Sequence, residues 1–220
     1  PSNQGGQKSE VSINYELGSR FCVGKLRGET VFFFNDYSNL LGSDLAATGG
    51  TGTLDQFNAG EVDVNGLELL LNYDFSNQES TIKIPFTLGY TFTNTEFKNS
   101  FGSDEDLWGE VTSGDELPYL SKHQFNIGIS LEHQKYELNF NGRFNGKFRT
   151  QAGIGSIPQD ELVNSNFVID FSGKYFITKN FSATTNIINL SDNLYAASRV
   201  PAGLRPGHPF GAYFGFEFKF

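Results

Sequence analysis

Apolar and polar residues alternate one by one along much of the chain. The clearest run begins at Tyr136, and its apolar or glycine positions are Tyr136, Leu138, Phe140, Gly142, Phe144, Gly146 and Phe148. The residues between them are all polar. Because successive side chains of a β-strand point to opposite faces, this period of two predicts a strand with one apolar and one polar face.

The same alternation recurs along the chain and predicts about nine strands. Their expected ranges are roughly 9–22, 29–39, 58–75, 80–97, 121–133, 135–149, 164–176, 180–190 and 209–220. One strand breaks the pattern, because Val62 and Val64 have the opposite parity to Leu67 and Leu69. A β-bulge or a change of environment near Gly66 is therefore expected.

The connections between these strands are alternately short and long. The short ones lie near residues 24–28, 76–79, 133–135 and 178–180, and the long ones near 40–57, 98–120, 150–163 and 191–208. A meander with tight turns at one end and large loops at the other is typical of outer-membrane barrels. The predicted fold is therefore all-β, an antiparallel transmembrane β-barrel meander, which must close because an open edge in lipid leaves backbone groups unpaired.

A soluble antiparallel sandwich or a lipocalin-like barrel also alternates, with its apolar face turned inward. Two features favour the membrane barrel over these folds. The polar face is rich in Asn, Arg, Lys and Glu, which suits a wet lumen. The apolar face mixes small Gly with large Phe, and aromatic residues recur near the strand ends, where a membrane interface would lie.

Composition excludes several classes of function. The 220 residues include 23 Phe and 25 Gly, and their formal net charge of −9 argues against nucleic-acid binding. No apolar run approaches the roughly 18 residues that a spanning helix needs. Cys22 is the only cysteine, so the chain has neither an internal disulfide framework nor a cysteine-based zinc site.

Catalytic and metal-binding motifs are weak. Ser121 and His123 invite a hydrolase interpretation, but the chain has no Gly-x-Ser-x-Gly elbow and no Asp in an obvious third role. The three histidines are scattered and predict no metal site. The acidic loop at 103–110, which contains Trp108, has carboxylates suited to calcium but lacks the spacing of a calcium loop. We expect no enzymatic activity, no metal and no cofactor.

Several motifs resemble those of TonB-dependent outer-membrane receptors. Residues 186–195 (Asn-Ile-Ile-Asn-Leu-Ser-Asp-Asn-Leu-Tyr), the Gly-, Arg- and Pro-containing loop 201–207 and an aromatic last strand ending at Phe220 are similar to the end of that family. Ser191 departs mildly from the family, which more often has Phe before the Asp. Residues 64–68 and 117–125 resemble its Gly-hydrophobic-Glu and Pro-x-x-x-x-His elements, with spacing nearest to the ferric citrate type of receptor.

The resemblance implies a 22-stranded barrel, plugged by an N-terminal domain, in the outer membrane of a Gram-negative bacterium. About nine strands cannot form that barrel, and the chain starts at Pro1 rather than Met. We therefore expect residues 1–220 to be the C-terminal portion of the barrel, without the plug and the earlier strands. The implied function is import of a ferric chelate, a siderophore or ferric citrate, energised through TonB.

The implied partners are the TonB complex through the missing N-terminal part, the barrel-assembly machinery, outer-membrane lipid and the ferric chelate, with no nucleic acid. An importer of oligosaccharide, peptide or cobalamin is an alternative with the same barrel ends. A barrel enzyme of the outer membrane and a soluble β-sheet binding module are more remote alternatives.

Five basic residues and one aromatic residue are candidates for ligand contact. Arg143, Lys147 and Arg149 follow the polar face of one predicted strand, and Arg149 is the best ligand candidate because it is nearest to a long loop. They could bind an anionic ligand such as a ferric chelate, although a lumen wall in which they pair with carboxylates is favoured. The other candidates are Arg199 and Arg205 in the last long loop and Trp108 in the acidic loop.

The last strand carries a further candidate signal. Phe216, Phe218 and the C-terminal Phe220 complete a strict alternation. They resemble the signal that the barrel-assembly machinery reads in this family. The alternative is that these residues simply face lipid, and both interpretations can hold together.

Overall fold

The computed structural model describes residues 8–43, 56–58, 60–77, 79–102, 110–199 and 203–220. Its strands, in chain order, are β1 Val11–Val23, β2 Leu26–Ser38, β3 Leu41–Ser43, β4 Gln56–Asn58, β5 Val62–Asp74, β6 Pro85–Phe97, β7 Phe101–Gly102, β8 Glu110–Val111, β9 His123–His133, β10 Tyr136–Asn145, β11 Phe148–Arg149, β12 Leu162–Val163, β13 Asn166–Phe176, β14 Phe181–Ile188, β15 Ala196–Ser198, β16 Arg205–Pro206 and β17 Gly211–Phe218. No helix in the described ranges is long and apolar enough to cross a membrane.

Nine of these strands form one antiparallel sheet in the order β1-β2-β5-β6-β9-β10-β13-β14-β17. Each of them lies within a few residues of a range predicted from the alternation, so the all-β meander is confirmed. Four small two-stranded sheets, β3–β4, β7–β8, β11–β12 and β15–β16, rise from the long connections. We call the edge of the sheet that carries these connections the loop end and the opposite edge the turn end.

The register places like residues side by side across the sheet. Phe140 of β10 lies between Ile129 of β9 and Phe171 of β13, and the Phe140 and Phe171 rings are 4.8 Å apart. On the other face Asn139 lies between Ser130 and Ser172. Cross-strand pairs of this kind stabilise a sheet and fix its register, because a shift of one residue would exchange the two faces.

The expected bulge near Gly66 is wrong. Pairing of β5 with β6 runs without a shift from Val62 opposite Phe97 to Asp74 opposite Pro85. A Cβ at Gly66 would lie 2.0 Å from the Phe92 carbonyl oxygen and 2.6 Å from the Phe33 ring, so this position requires glycine for close packing. The change of parity reflects the other expected cause, a change of environment, because Val62 belongs to a core at the loop end.

That core is an apolar cluster at the loop end, which we call the loop-end core. Val62, Phe97 and Val111 are its fully buried members, and partly buried hydrophobic residues pack around them: Tyr37, Leu40, Val64, Phe101, Leu117 and Ala152. The residues come from several strands and from three long connections. The long connections therefore fold back onto the end of the sheet and pack there like the interior of a soluble domain.

One predicted strand is interrupted. The range 135–149 is continuous in the alternation, but β10 ends at Asn145 and residues 146 and 147 separate it from β11. The Gly146 amide still donates to the His123 carbonyl oxygen at 2.8 Å. On the neighbouring segment Tyr119 has a positive φ of 59°, so the backbone is irregular on both sides of this position.

Candidate functional site

The loop end brings together two of the residues that the sequence singled out, Lys147 and Arg149. Arg149 of β11 is there, with a side chain that is only 3% exposed. Its Nη2 donates to the Gly155 carbonyl oxygen at 3.2 Å, and its Nε lies 3.5 Å from Glu116 Oε2. The other oxygen of Glu116 is 2.7 Å from Lys122 Nζ. Arg149 therefore connects the segment after β10 to the connection before β9.

A cavity of about 240 Å³ opens beside Arg149. We call it the Arg149 cavity, and its walls are formed by Glu116, Leu120, Lys122, His123, Gly146, Lys147, Phe148, Arg149, Gly155 and Ile157. Lys147 is exposed and has no hydrogen-bond or ion-pair partner among the described residues. Arg149 and Lys147 thus meet at one cavity, although a break in the strand separates them from the regular part of β10.

Arg143 has a different environment on the polar face of the sheet. Its Nη2 donates to Asp170 Oδ2 at 2.8 Å. The other oxygen of Asp170 accepts a hydrogen bond from the backbone N–H of Asn189 at 2.9 Å. The pair forms part of the wall of a shallow depression of about 720 Å³, in which Gly89 and Gly128 leave the surface low. This arrangement is the paired lumen wall that the sequence favoured for Arg143.

Asn189 organises the turn that follows β14. It is fully buried and has a positive φ of 50°. Its side-chain Oδ1 accepts a hydrogen bond from the backbone N–H of Asn193 at 2.9 Å. Its Nδ2 donates to the backbone carbonyl oxygens of Asn193 and His208, each at 3.0 Å. Asparagine tolerates the left-handed region and caps nearby backbone groups, so this residue type suits the turn.

The 186–195 motif supports the family resemblance, but the sequence alone did not predict a structural role for Asn189. The signal that could have found it is local. Asn189 comes directly after a strand and is followed by a second Asn four residues later. Such Asn side chains often form hydrogen bonds with backbone groups of the same turn. The partner at His208 could not be found in this way, because it lies 19 residues further along.

Arg199 and Arg205 lie in the connection between β14 and β17. Arg199 contributes to a second cavity of about 380 Å³, together with Tyr195, Leu204 and others. Among the residues that the structure describes, its buried Nε has no hydrogen-bond partner. A Cβ at Gly207 would lie 1.9 Å from the Tyr195 ring, so glycine is needed where this connection packs on itself.

Two further features singled out in the sequence are the acidic loop with Trp108 and the pair Ser121 and His123. Trp108 and most of its acidic loop lie outside the described residues. Ser121 Oγ donates to the His123 carbonyl oxygen at 3.0 Å, and His123 Nδ1 lies 2.9 Å from the Tyr90 hydroxyl. These two side chains therefore bond other groups and not each other. The described part of the chain holds no group of three or more His, Cys, Asp or Glu arranged to bind a metal.

Phe216, Phe218 and Phe220 lie at the edge of the sheet formed by β17. Phe216 stacks on Phe181 with the ring centres 5.6 Å apart, and Phe218 meets Phe220 edge to face at 5.1 Å. All three are exposed in this chain. They share the apolar face with the phenylalanines of β10 and β13, as the alternation predicted.

Charge pairs extend around the loop end. Lys98, just after β6, has Nζ 3.2 Å from Asp63 and 3.4 Å from Glu96. The hydrogen bond and charge of Asp63, followed by those of Glu96, raise the pKa of Lys98 above its ordinary value. These pairs are partly exposed, so each contributes little to stability.

Comparison with known proteins identifies relatives of this chain. Residues 1–190 match the family model described as TonB dependent receptor-like, beta-barrel. The chain is 26% identical to the ferrienterobactin receptor of Escherichia coli K12 over 194 residues. That match covers 84% of the chain and 24% of the receptor, so the chain spans about a quarter of this relative.

Solved structures agree on the fold. The closed form of the ferric-catecholate import receptor Fiu of E. coli K12 matches with a TM-score of 0.67 at 20% identity, over 95% of this chain and 27% of that one. The ferric yersiniabactin uptake receptor FyuA of Yersinia pestis matches with a TM-score of 0.68 at 16% identity, over 96% and 30%.

These receptors are proteins of the outer membrane of Gram-negative bacteria, which confirms the predicted location. Because the family model covers most of its residues, the chain belongs to the TonB-dependent receptor-like β-barrel family.

Proposed function

We propose that this chain forms part of the wall and external loops of an importer that takes up a ferric siderophore with energy supplied through TonB. The observation that carries the proposal is the match of residues 1–190 to the receptor barrel family. Relatives named for ferrienterobactin, ferric catecholate and ferric yersiniabactin support a ferric chelate as the substrate. The ferric citrate subtype stays a prediction.

Within this proposal, residues 1–220 are the C-terminal portion of a barrel of about 22 strands. The sheet ends in two unpaired edges, β1 and β17. In lipid both edges need partners, because unpaired backbone groups are costly there. The remaining strands and the plug of a longer protein would close the wall, and the N-terminal part would contact TonB. The wall itself would carry no enzymatic activity.

The ligand would bind above the loop end. Arg143, Lys147, Arg149, Arg199, Arg205 and Trp108 stay candidates for its contacts. Of those described, Arg143 has a carboxylate partner and Arg149 is buried beside one, whereas Lys147 is exposed. An exposed cation without a partner keeps its full charge for an anionic chelate, so Lys147 is the candidate that we favour.

Growth on defined iron sources tests the proposal. A strain lacking the full-length gene should lose uptake of one iron-55-labelled ferric chelate, and the intact gene should restore it. Catecholate siderophores, yersiniabactin-type siderophores and ferric citrate should each be supplied separately. A de-energised strain that lacks TonB should bind the same chelate without internalising it. Unchanged growth and uptake on every ferric chelate would contradict the iron proposal.

The barrel-assembly machinery and membrane lipid are proposed partners of the last strand. Phe216, Phe218 and Phe220 present a bare aromatic row at its free end. Deleting Phe220 should lower the amount of heat-modifiable, membrane-inserted receptor. The matched control is Lys219→Gln, which leaves the aromatic row intact. An unchanged folded yield after the deletion would mean that the row is only a lipid contact.

A further inference from the structure

The Arg149 cavity combines a buried guanidinium, an exposed lysine and a small volume. We propose that it is a binding site for a small oxyanion of the phosphate class, either free phosphate or the phosphate of a lipid headgroup. The inference rests on the buried guanidinium, on the surplus of positive charge and on the size of the cavity. It does not depend on the proposed import function.

Arg149 is a buried cation with an incomplete set of partners. Its side chain is 3% exposed, yet its Nε has no hydrogen-bond partner in the described part of the chain. The nearest carboxylate oxygen, on Glu116, is 3.5 Å away from that nitrogen, which is an ion-pair distance and too long for a good hydrogen bond. A buried donor left without an acceptor is unfavourable, so negative charge beside this guanidinium would stabilise the arrangement.

The charges around the cavity do not cancel. Lys122, Lys147 and Arg149 contribute to its wall, whereas Glu116 is its only carboxylate among the described residues. Glu116 is already engaged by Lys122 at 2.7 Å. The surplus of positive charge disfavours a metal ion and favours an anion.

The geometry suits a compact anion with several oxygens. A guanidinium offers a planar set of donors, and two lysines add mobile point charges, which is the combination that binds phosphate well. Gly153 leaves room for the guanidinium, because a Cβ there would lie 2.4 Å from Arg149 Nη1. The volume of about 240 Å³ is below the range typical of pockets for drug-sized ligands.

The test uses the full-length receptor, purified in detergent and titrated with inorganic phosphate by isothermal calorimetry. Lys147→Gln removes an exposed cation without disturbing a described contact, so the barrel should assemble normally. We expect it to weaken phosphate binding about tenfold, as loss of one charge-assisted hydrogen bond would. Lys179→Gln, in the turn between β13 and β14, is the matched control and should bind like the wild type.

Arg149→Gln should abolish phosphate binding, and Arg149→Lys should restore it only in part because lysine lacks the planar fork. If Arg149→Gln does not assemble, as judged by heat modifiability, Lys147→Gln still decides the matter. Equal phosphate affinity of wild type, Lys147→Gln and Lys179→Gln would overturn the proposal, provided that the lipid measurement also shows no difference among them.

A second measurement distinguishes the two sources of phosphate. The three proteins are reconstituted in phosphatidylcholine vesicles with and without about one-tenth phosphatidic acid, a composition that adds about one phosphate monoester headgroup in ten lipids. Retention of phosphatidic acid by wild type and Lys179→Gln, but not by Lys147→Gln, would assign the site to a lipid headgroup. Phosphate binding in detergent without this difference would assign it to a free anion. Uptake of iron chelates is measured separately, so failure of one proposal leaves the other standing.

Discussion

Two phenylalanines of this chain occupy opposite environments. Phe97, at the end of β6, is 0% exposed in the loop-end core, whereas Phe214, in β17, is 82% exposed on the apolar face of the sheet. Phe214 lies on the apolar parity of its strand, whereas Phe97 shares the parity of Thr93 and Thr95 and, like its partner Val62, departs from the alternation. The same side chain therefore serves two purposes, and the departure from the alternation marks the one that protein covers.

The difference follows from the solvent at each position. At the loop end the medium is water, so apolar side chains must be covered by protein, and long connections supply the cover. On the face of the wall the medium of an outer-membrane barrel is lipid, so phenylalanine can stay uncovered by protein. The loop end consequently packs like a soluble domain, and the face of the wall packs only within its own plane.

The largest expected effect comes from removing Phe97. Phe97→Ala should destabilise the full-length receptor by about 3–5 kcal/mol, because it loses the transfer term and also leaves a cavity. Phe214→Ala, the matched control, should cost about 1.5–3 kcal/mol, because lipid fills the space and only the transfer term remains. Urea unfolding in lipid vesicles measures both. Equal losses would mean that the two environments do not differ as described.

Asn189→Ala is expected to have the next largest effect. It leaves backbone groups of Asn193 and His208 without their side-chain partner and places alanine at a positive φ. We expect a loss of about 2–4 kcal/mol, measured by the same unfolding assay. Asn186→Ala, at an exposed position of β14, should change stability by less than about 0.5 kcal/mol. A similar loss from both variants would argue against a special role of the turn.

Arg143→Gln should have a smaller effect, because the Arg143 side chain is half exposed and its ion pair with Asp170 is screened by solvent. We expect about 0–1 kcal/mol, decreasing with added salt. Asp170→Ala should cost more, since it also removes the acceptor of the Asn189 amide. The two variants, compared at low and high salt, separate the charge pair from the turn that it adjoins.

The smallest effect is expected at the turn end, where Asp74 is fully exposed. The hydroxyl of Ser76, and then its amide, donate to this carboxylate and hold the pKa of Asp74 below its ordinary value. A depressed pKa contributes stability above the unfolded pKa, and this contribution is lost as the pH falls through the folded pKa. The stability difference between wild type and Asp74→Asn should therefore shrink on acidification. A difference that grows in acid would contradict this sign.

The sheet could be predicted from the sequence to a large extent. Residues 136–145 and 211–218 alternate so strictly that the structure differs from the predicted ranges only at their ends. The alternation is informative because a strand between lipid and a wet lumen must separate its two kinds of side chain. The interruption after Asn145 was not predictable, since Gly146 and Lys147 continue the pattern while the backbone leaves the strand.

The candidate site was predicted less well than the sheet. Arg143, Lys147 and Arg149 follow the same parity in the sequence, yet Arg143 pairs with Asp170 on the regular wall, whereas Lys147 and Arg149 meet at a cavity beyond it. Glu116 lies more than thirty positions before Arg149 in the chain, and nothing in the local pattern joins them. Asn189 was overlooked because its role depends on His208, which only the folded connection brings close.

The sequence by itself determined the strand period, the alternation of short and long connections and the family, because these depend on neighbours along the chain. The tertiary structure alone decided which apolar residues are covered by protein and which are bare. It also decided which cations have carboxylate partners and which buried guanidinium nitrogens lack a hydrogen-bond partner among the described residues. Such properties depend on contacts between distant segments, and a one-dimensional pattern contains no record of those contacts.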